Sequence, residues 1–73
     1  MKTAPTMNQD ILAGNWKQTR GQVKHWWGKL TDNDLDRING RIEELIGSLQ
    51  ETYGYTRELA ENEVERFLNQ LNS

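Results

Sequence analysis

The chain has 73 residues, a net charge of −2, three tryptophans and no cysteine. Its length allows one small domain, and the lack of cysteine excludes disulfides and thiolate metal sites. No apolar run approaches the roughly 20 residues that span a bilayer, and the apolar segment of a secretory signal is missing. The sequence therefore predicts a cytoplasmic protein with no membrane segment.

The mean hydropathy of −0.93 is close to that of disordered chains. Against disorder stand the tryptophans and a clear helical periodicity, which together predict a packed core. Residues 1–7 hold the only proline and no periodic pattern. We therefore expect a disordered tail at residues 1–7 and a helical domain at residues 8–73.

The first helix is predicted to begin between Asp10 and Gly14 and to end near Trp27, with Gly28 as its C-terminal stop. The residues that share its apolar face are Trp16, Thr19, Val23, Trp27 and Leu30. This face predicts that the helix packs along its whole length against a helical core.

A short second helix is predicted next, with Thr31 as its N-cap and Asp34 among the acids of its first turn. We expect it to end at about Ile38 or Asn39. Whether Gly40 separates it from a third helix, or only kinks one long helix, stays open at this point.

The third helix is predicted from about Arg41 to Tyr53, and a fourth follows a stop at Gly54 and an N-cap at Thr56. The apolar residues of these two helices are Ile42, Leu45, Ile46, Leu49 and Tyr53, then Leu59, Ala60, Val64, Phe67, Leu68 and Leu71. The sequence shows no strand pattern.

The glycines form two triplets with steps of seven residues, the second 26 positions after the first. The triplets are Gly14, Gly21, Gly28 and Gly40, Gly47, Gly54. This repeat predicts an all-α fold by internal duplication, in which two α-hairpins pack across each other. The predicted core consists of Trp16, Val23, Trp27, Leu30, Leu35, Ile38, Ile42, Leu45, Leu49, Tyr53, Leu59, Val64, Phe67 and Leu68.

Short motifs recur along residues 8–68. They are Gly14-Asn15-Trp16-Lys17-Gln18, Gly21-Gln22-Val23-Lys24, Trp27-Gly28-Lys29-Leu30-Thr31-Asp32-Asn33-Asp34, Gly40, Leu45-Ile46-Gly47, Leu49-Gln50-Glu51-Thr52-Tyr53-Gly54-Tyr55, Ala60-Glu61 and Glu63-Val64. Together these motifs resemble the CsbD-like family. The resemblance implies a small bacterial protein linked to the general stress response, without an established molecular activity. It also implies a small four-helix bundle of two orthogonally packed α-hairpins, similar to the SAM-domain-like arrangement. The family is usually rich in lysine, whereas the basic residues of the second half here are all arginines.

The sequence contains no catalytic constellation. The only histidine, His25, is predicted to lie opposite the apolar face of the first helix, and therefore to face water rather than act as a general base. The resemblance carries over no catalytic residue. We therefore expect that the protein is not an enzyme and uses no cofactor.

One acidic segment has the spacing of a calcium-binding loop. Asp32, Asp34, Asp36 and Glu43 match four of its ligand positions, but Arg37 stands where the loop requires glycine. The same segment is typical of a capped helix. We therefore predict no metal site.

The first helix carries a stripe of basic residues, Lys17, Arg20 and Lys24, beside Trp16, Trp26 and Trp27. Basic residues interleaved with aromatic ones are typical of nucleic-acid-binding proteins. All acids except Asp10 lie after Thr31, so the alternative interpretation is that the basic part before Thr31 and the acidic part after it attract each other, in the fold or in an oligomer.

Two glycines, Gly21 and Gly47, are predicted in helix interiors, on faces away from the core. We interpret them first as points where another helix backbone crosses closely within the fold, and second as a surface where a partner helix docks. Trp26 is predicted at the edge of the core, either covering it or anchoring an interface.

These observations predict a non-enzymatic accessory protein of the general stress response, acting by binding an unknown protein or by self-association. The candidate partner surface comprises Lys17, Gly21, Lys24, Trp26 and Gly47. The alternatives are a nucleic-acid-binding module that uses the basic and aromatic face of the first helix, and a hydrophilic protectant without a specific partner.

Overall fold

The computed structural model describes residues 9–71, with side chains from Ile11 onward, and the predicted tail at residues 1–7 lies outside this range. Its helices are α1 (Gln9–Gly14), α2 (Trp16–Trp26), α3 (Asp32–Ile38), α4 (Ile42–Tyr53) and α5 (Arg57–Leu71). No residue between 9 and 71 lies in a strand. The prediction of an all-α protein is confirmed.

The predicted first helix is two helices, because the chain breaks at Asn15 between α1 and α2. Asn15 has φ −134° and ψ 36°, outside the helical region. Its carbonyl accepts the first hydrogen bonds of α2, from the N–H groups of Gln18 and Thr19. Gly14 and Asn15 are both weak helix formers, which makes this the least costly place for the break. The single helix expected here was wrong.

The stop at Gly28 was also misassigned. Helix α2 ends at Trp26, with Trp27 as its C-cap at φ −122°. Gly28 is not among the residues with positive φ, so it does not supply the left-handed C-cap for which glycine is favoured.

Helix α3 begins with a capping box. The Thr31 hydroxyl accepts a hydrogen bond from the Asp34 N–H at 3.1 Å, and the Asp34 carboxylate accepts one from the Thr31 N–H at 3.0 Å. Two backbone N–H groups without partners inside the helix are thereby satisfied. The predicted N-cap is confirmed.

Gly40 separates α3 from α4, which answers the question that the sequence left open. Asn39 is the C-cap of α3 at φ 46°, and Gly40 follows at φ 81°. A Cβ at Gly40 would lie 3.1 Å from the Cα of Ala13 and 3.3 Å from the Cβ of Trp16. Glycine is required here because the turn has positive φ and packs directly against the junction of α1 and α2.

The C-terminal end of α4 and the N-terminal end of α5 lie where the sequence predicts them. Gly54 is the left-handed C-cap of α4 at φ 71°. At the start of α5, the Leu59 N–H donates to the Thr56 hydroxyl oxygen at 3.1 Å. The connection is therefore only three residues long, which keeps α4 and α5 in contact along the fold.

Helix α4 packs on α3 and α5, while α1 packs on α2 and α5. Most of the predicted core is buried, together with three side chains absent from that set: Leu12, Ile46 and Ala60. Leu59 was wrongly included, since 42 % of it is exposed. The apolar stripe of α5 begins at Ala60, one residue later. Orthogonal packing of two hairpins in a four-helix bundle stays a prediction.

Candidate interaction surface

Helix α2 carries four of the five residues of the candidate surface, but on two different sides. At about 100° per residue, Trp26 points about 180° away from Lys17 and about 160° away from Lys24. Gly21 lies with the two lysines, and Gly47 lies on α4. The helix therefore has a basic flank formed by Lys17, Gly21 and Lys24, and a separate flank that contains Trp26.

Two of the three cations of the basic stripe, Arg20 and Lys24, have partners within the fold. Arg20 forms an ion pair with Asp36 at 2.9 Å, and the Lys24 ammonium donates to the carbonyl of Leu30. The pair of Arg20 and Asp36 joins the basic part of the chain before Thr31 to the acidic part after it, as the attraction between the two parts predicts. The stripe is thereby partly neutralised before any ligand arrives.

The space around Gly21 and Gly47 contradicts the first interpretation of these glycines. A Cβ built on either residue meets no atom within 4 Å among the described residues, apart from its own helix and chain neighbours. None of the helices between residues 9 and 71 crosses closely at these points, and the intramolecular crossing is therefore wrong. The close backbone approach occurs instead at Gly40.

The two adjacent tryptophans differ in their surroundings, as predicted. Trp27 is 2 % exposed and Trp26 is 39 % exposed. Both rings pack on Phe67, with centroids 5.4 Å from Trp26 and 5.1 Å from Trp27, and the two indoles lie 6.1 Å apart. The Trp27 Nε1–H is buried without a hydrogen-bond acceptor among the described residues. Trp26 thus covers the edge of the core and keeps one side in water.

A groove of about 220 Å³ that was not predicted from the sequence lies along the Trp26 side of α2. Its lining residues are Ile11, Asn15, Gln18, Thr19, Gln22 and Leu71. None of them carries a formal charge. The spacing of Asn15, Gln18 and Gln22 on one helical face was visible in the sequence. The apolar residues of the groove, Ile11 from α1 and Leu71 from α5, reach α2 only through tertiary packing. Their place in the groove was therefore not visible in the sequence.

A second missed feature joins the two loops at Gly28 and Gly54. The rings of Tyr53 and Tyr55 stack with centroids 5.3 Å apart. The Lys29 N–H donates to the Tyr53 hydroxyl oxygen at 3.1 Å, and the Lys29 ammonium lies 5.5 Å from the Tyr53 ring centroid. These contacts hold the connection after α2 against the end of α4.

The acidic segment with calcium-loop spacing is helical. Asp34 is engaged in the capping box, and the hydrogen bond from the Thr31 N–H holds the pKa of Asp34 below its usual range. Within residues 9–71, no group of three or more histidine, aspartate or glutamate side chains is placed to hold a metal ion. His25 is exposed. Over the same residues, every helix is too short or too polar to cross a membrane.

The fold and the surface together define a small all-α domain. Its second helix, α2, carries a partly exposed tryptophan and an uncharged groove. A family model described as CsbD-like matches residues 10–62. The chain belongs to the CsbD-like family, which confirms the resemblance seen in the sequence. This family is associated with the general stress response, and its molecular function is unknown.

Bacterial relatives named as UPF0337 proteins cover most of the chain. One from Pectobacterium atrosepticum is 52 % identical over 61 residues, covering 84 % of this chain and 88 % of the relative. One from Protochlamydia amoebophila is 54 % identical over 61 residues, covering 84 % of this chain and 92 % of the relative. One from Pseudomonas aeruginosa is 49 % identical over 65 residues, covering 89 % of this chain and 100 % of the relative.

Proposed function

We propose that this protein is a non-enzymatic, cytoplasmic accessory of the general stress response, which acts by binding another macromolecule or a second copy of itself. The observation that carries the proposal is the partial exposure of Trp26, which lies one helical turn after Gln22, a residue that lines an uncharged groove. Family membership supports the link to stress.

Trp26 has the properties of an interface anchor. Its ring meets Phe67 edge-on, with an interplanar angle of 72°, and this contact restricts its rotamers before any partner arrives. A pre-ordered aromatic side chain loses little conformational entropy on binding, and tryptophan is enriched among the residues that dominate binding energy. The flank of α2 that contains Trp26 is therefore the part of the candidate surface best suited to an apolar contact.

The groove residues support binding rather than catalysis. Asn15, Gln18 and Gln22 carry amides that donate and accept hydrogen bonds but do not exchange protons near neutral pH. General acid–base chemistry needs a titratable group positioned beside the reacting atom, and the groove lining contains no such group.

Affinity capture with three forms of the protein tests this proposal. Tagged wild-type protein, Trp26→Ala and Leu59→Ala serve as baits in stressed and unstressed cells, each with and without nuclease. Leu59 is the matched control, because it is the other large apolar side chain exposed at the surface of the described residues. We expect associated protein that survives nuclease, persists with Leu59→Ala and is lost with Trp26→Ala.

Different outcomes select different functions. Nuclease-sensitive association lost with Lys17→Glu, but kept with Trp26→Ala, would replace the proposal with the nucleic-acid-binding alternative. A protein that captures nothing and sediments as a monomer would leave only the protectant without a partner.

A further inference from the structure

One side of α2 is uncharged on a protein in which 27 % of residues are charged. We define the amide face as Asn15, Gln18, Gln22 and Trp26, together with the flanking Ile11 and Leu71. Ile11 and Leu71 are half-buried, whereas Asn15, Gln18, Gln22 and Trp26 are exposed. Interface centres are depleted in charged residues and enriched in aromatic ones, and this face shares both properties.

We propose that the amide face is the contact of a twofold dimer, in which α2 of one copy packs antiparallel against α2 of a second copy around an axis at Gln22. The proposal specifies the self-association branch of the proposed function and rests on it. The partner is a second copy of this chain, and Trp26 and Gln18 lie at the two ends of the contact.

The register follows from the sequence of α2. In an antiparallel pair centred on Gln22, a residue four positions after the axis faces the residue four positions before it. Trp26 of one copy therefore faces Gln18 of the second copy, and Gln18 lines the groove. Each exposed indole would enter the groove of the other copy, and the symmetry makes both contacts equivalent.

The charge distribution favours the amide face over the rest of the surface as the contact between two copies. Two copies of one chain carry the same net charge and repel each other at long range. An antiparallel twofold contact through the basic flank, centred between Arg20 and Gly21, would bring Lys17 of one copy near Lys24 of the other. The amide face avoids this repulsion. Glutamine both donates and accepts hydrogen bonds, so a row of glutamines is complementary to itself.

Sedimentation of Gln22→Glu tests the axis directly. The substitution keeps the shape of the side chain and a good helix former, but places two carboxylates opposite each other. The matched control is Asn62→Asp, which adds the same charge at an exposed site on α5. We expect wild-type protein and Asn62→Asp to dimerise with similar dissociation constants, and Gln22→Glu to weaken dimerisation about tenfold or more.

A mixing experiment tests the twofold geometry. Gln22→Lys alone should dimerise as poorly as Gln22→Glu, because like charges again meet at the axis. An equimolar mixture of the two variants should form a heterodimer, since opposite charges then face each other. Circular dichroism of each variant verifies that its helices are intact.

The proposal would be overturned by three results. These are a wild-type protein that stays monomeric at concentrations of about 1 mM, equal weakening by Gln22→Glu and Asn62→Asp, or a mixture that does not associate. A monomeric wild-type protein that still captures a partner through Trp26 would overturn the dimer alone and leave the proposed function standing.

Discussion

Trp26 and Trp27 are neighbours in sequence, but only Trp27 is part of the closed core. Truncating a buried large aromatic residue leaves a cavity and costs about 3–5 kcal/mol. We therefore expect Trp27→Ala to lower the free energy of unfolding by that amount, which is enough to unfold so small a domain. Trp26→Ala should cost much less, since Trp26 is 39 % exposed and its ring contacts with Trp27 and Phe67 lie at the edge of the core.

Denaturant unfolding of both variants measures this difference. The substitutions remove the same chemical group one position apart, so each serves as the control for the other. Equal losses of stability would contradict the assignment of Trp27 to the core and Trp26 to the surface.

Asp34 makes the stability of α3 dependent on pH. Its pKa lies below the usual value of 3.8 in the folded protein, because the Thr31 N–H donates to its carboxylate. The unfolded chain therefore binds this proton at higher pH than the folded chain. The stabilisation is present above pH 3.8 and is lost as the pH falls through the lower pKa of the folded state.

Replacing Asp34 by asparagine removes this dependence. At neutral pH we expect Asp34→Asn to lower the free energy of unfolding by about 0.3–1 kcal/mol, as for an acid in the first turn of a helix. The difference in the free energy of unfolding between wild type and Asp34→Asn should disappear as the pH is lowered. Urea unfolding from neutral pH down to about pH 3 tests this, and a gap that stays constant would exclude the capping carboxylate as its source.

At the scale of the helices, the glycines divide into two physical classes. Gly21 and Gly47 lie inside α2 and α4 with open space where a Cβ would stand. Glycine costs up to about 1 kcal/mol relative to alanine in such positions. We expect Gly21→Ala and Gly47→Ala each to raise the melting temperature.

Gly40→Ala provides the contrast. Positive φ costs a residue with a Cβ about 1–2 kcal/mol, and the added methyl group would press against Ala13 and Trp16. Its melting temperature should fall while those of the other two variants rise. A lowered melting temperature for Gly21→Ala would show that its surroundings are less open than the structure indicates.

Helix ends set by a local hydrogen bond or a left-handed residue were predictable from the sequence. Thr31, Gly54 and Thr56 act where their chemistry predicts. The break at Asn15 was not predicted. Gly14 and Asn15 are weak helix formers, but low helix propensity alone does not determine whether a helix ends there. The turn forms where Gly40 packs against the junction of α1 and α2, a contact distant in sequence.

The candidate surface was predictable only in part, for the same reason. Periodicity correctly separated Trp26 from Trp27. The sequence shows charges but not which of them meet, and Asp36, sixteen residues away, pairs with Arg20. The groove beside Gln22 needs residues from α1 and α5, which only tertiary packing brings to α2.

Across the whole molecule, arginines connect helices through exposed acids. Arg20 joins α2 to α3, Arg37 joins α3 to Glu51 on α4, and Arg57 joins α5 to Glu43 on α4. Hydrogen bonds to Glu43 and then Glu61 raise the pKa of Arg57 above its usual value. Each exposed ion pair of this kind contributes little to the free energy of unfolding. Together, however, the pairs engage arginines that would otherwise be available to contact the phosphates of a polyanion.

This charge distribution predicts weak binding to nucleic acid. At physiological salt and low micromolar protein we expect no mobility shift of duplex DNA. If phosphates were bound, affinity would fall by about 0.9 log units per log unit of salt for each phosphate contacted. A shift with that salt dependence, lost in Lys17→Glu with Lys24→Glu but kept in Lys29→Glu, would favour the nucleic-acid-binding alternative.

The buried Nε1–H of Trp27 has a spectroscopic consequence. An indole that lacks a hydrogen-bond acceptor and sits in an apolar environment emits at shorter wavelength than one in contact with water. Trp27 should therefore contribute blue-shifted fluorescence and a slowly exchanging indole resonance, while Trp26 contributes red-shifted, quencher-accessible emission. Because Trp16 also emits and the indoles of Trp26 and Trp27 lie only 6.1 Å apart, the separate indole N–H resonances, rather than the total emission, follow core unfolding and coverage of the α2 surface individually, without an attached label.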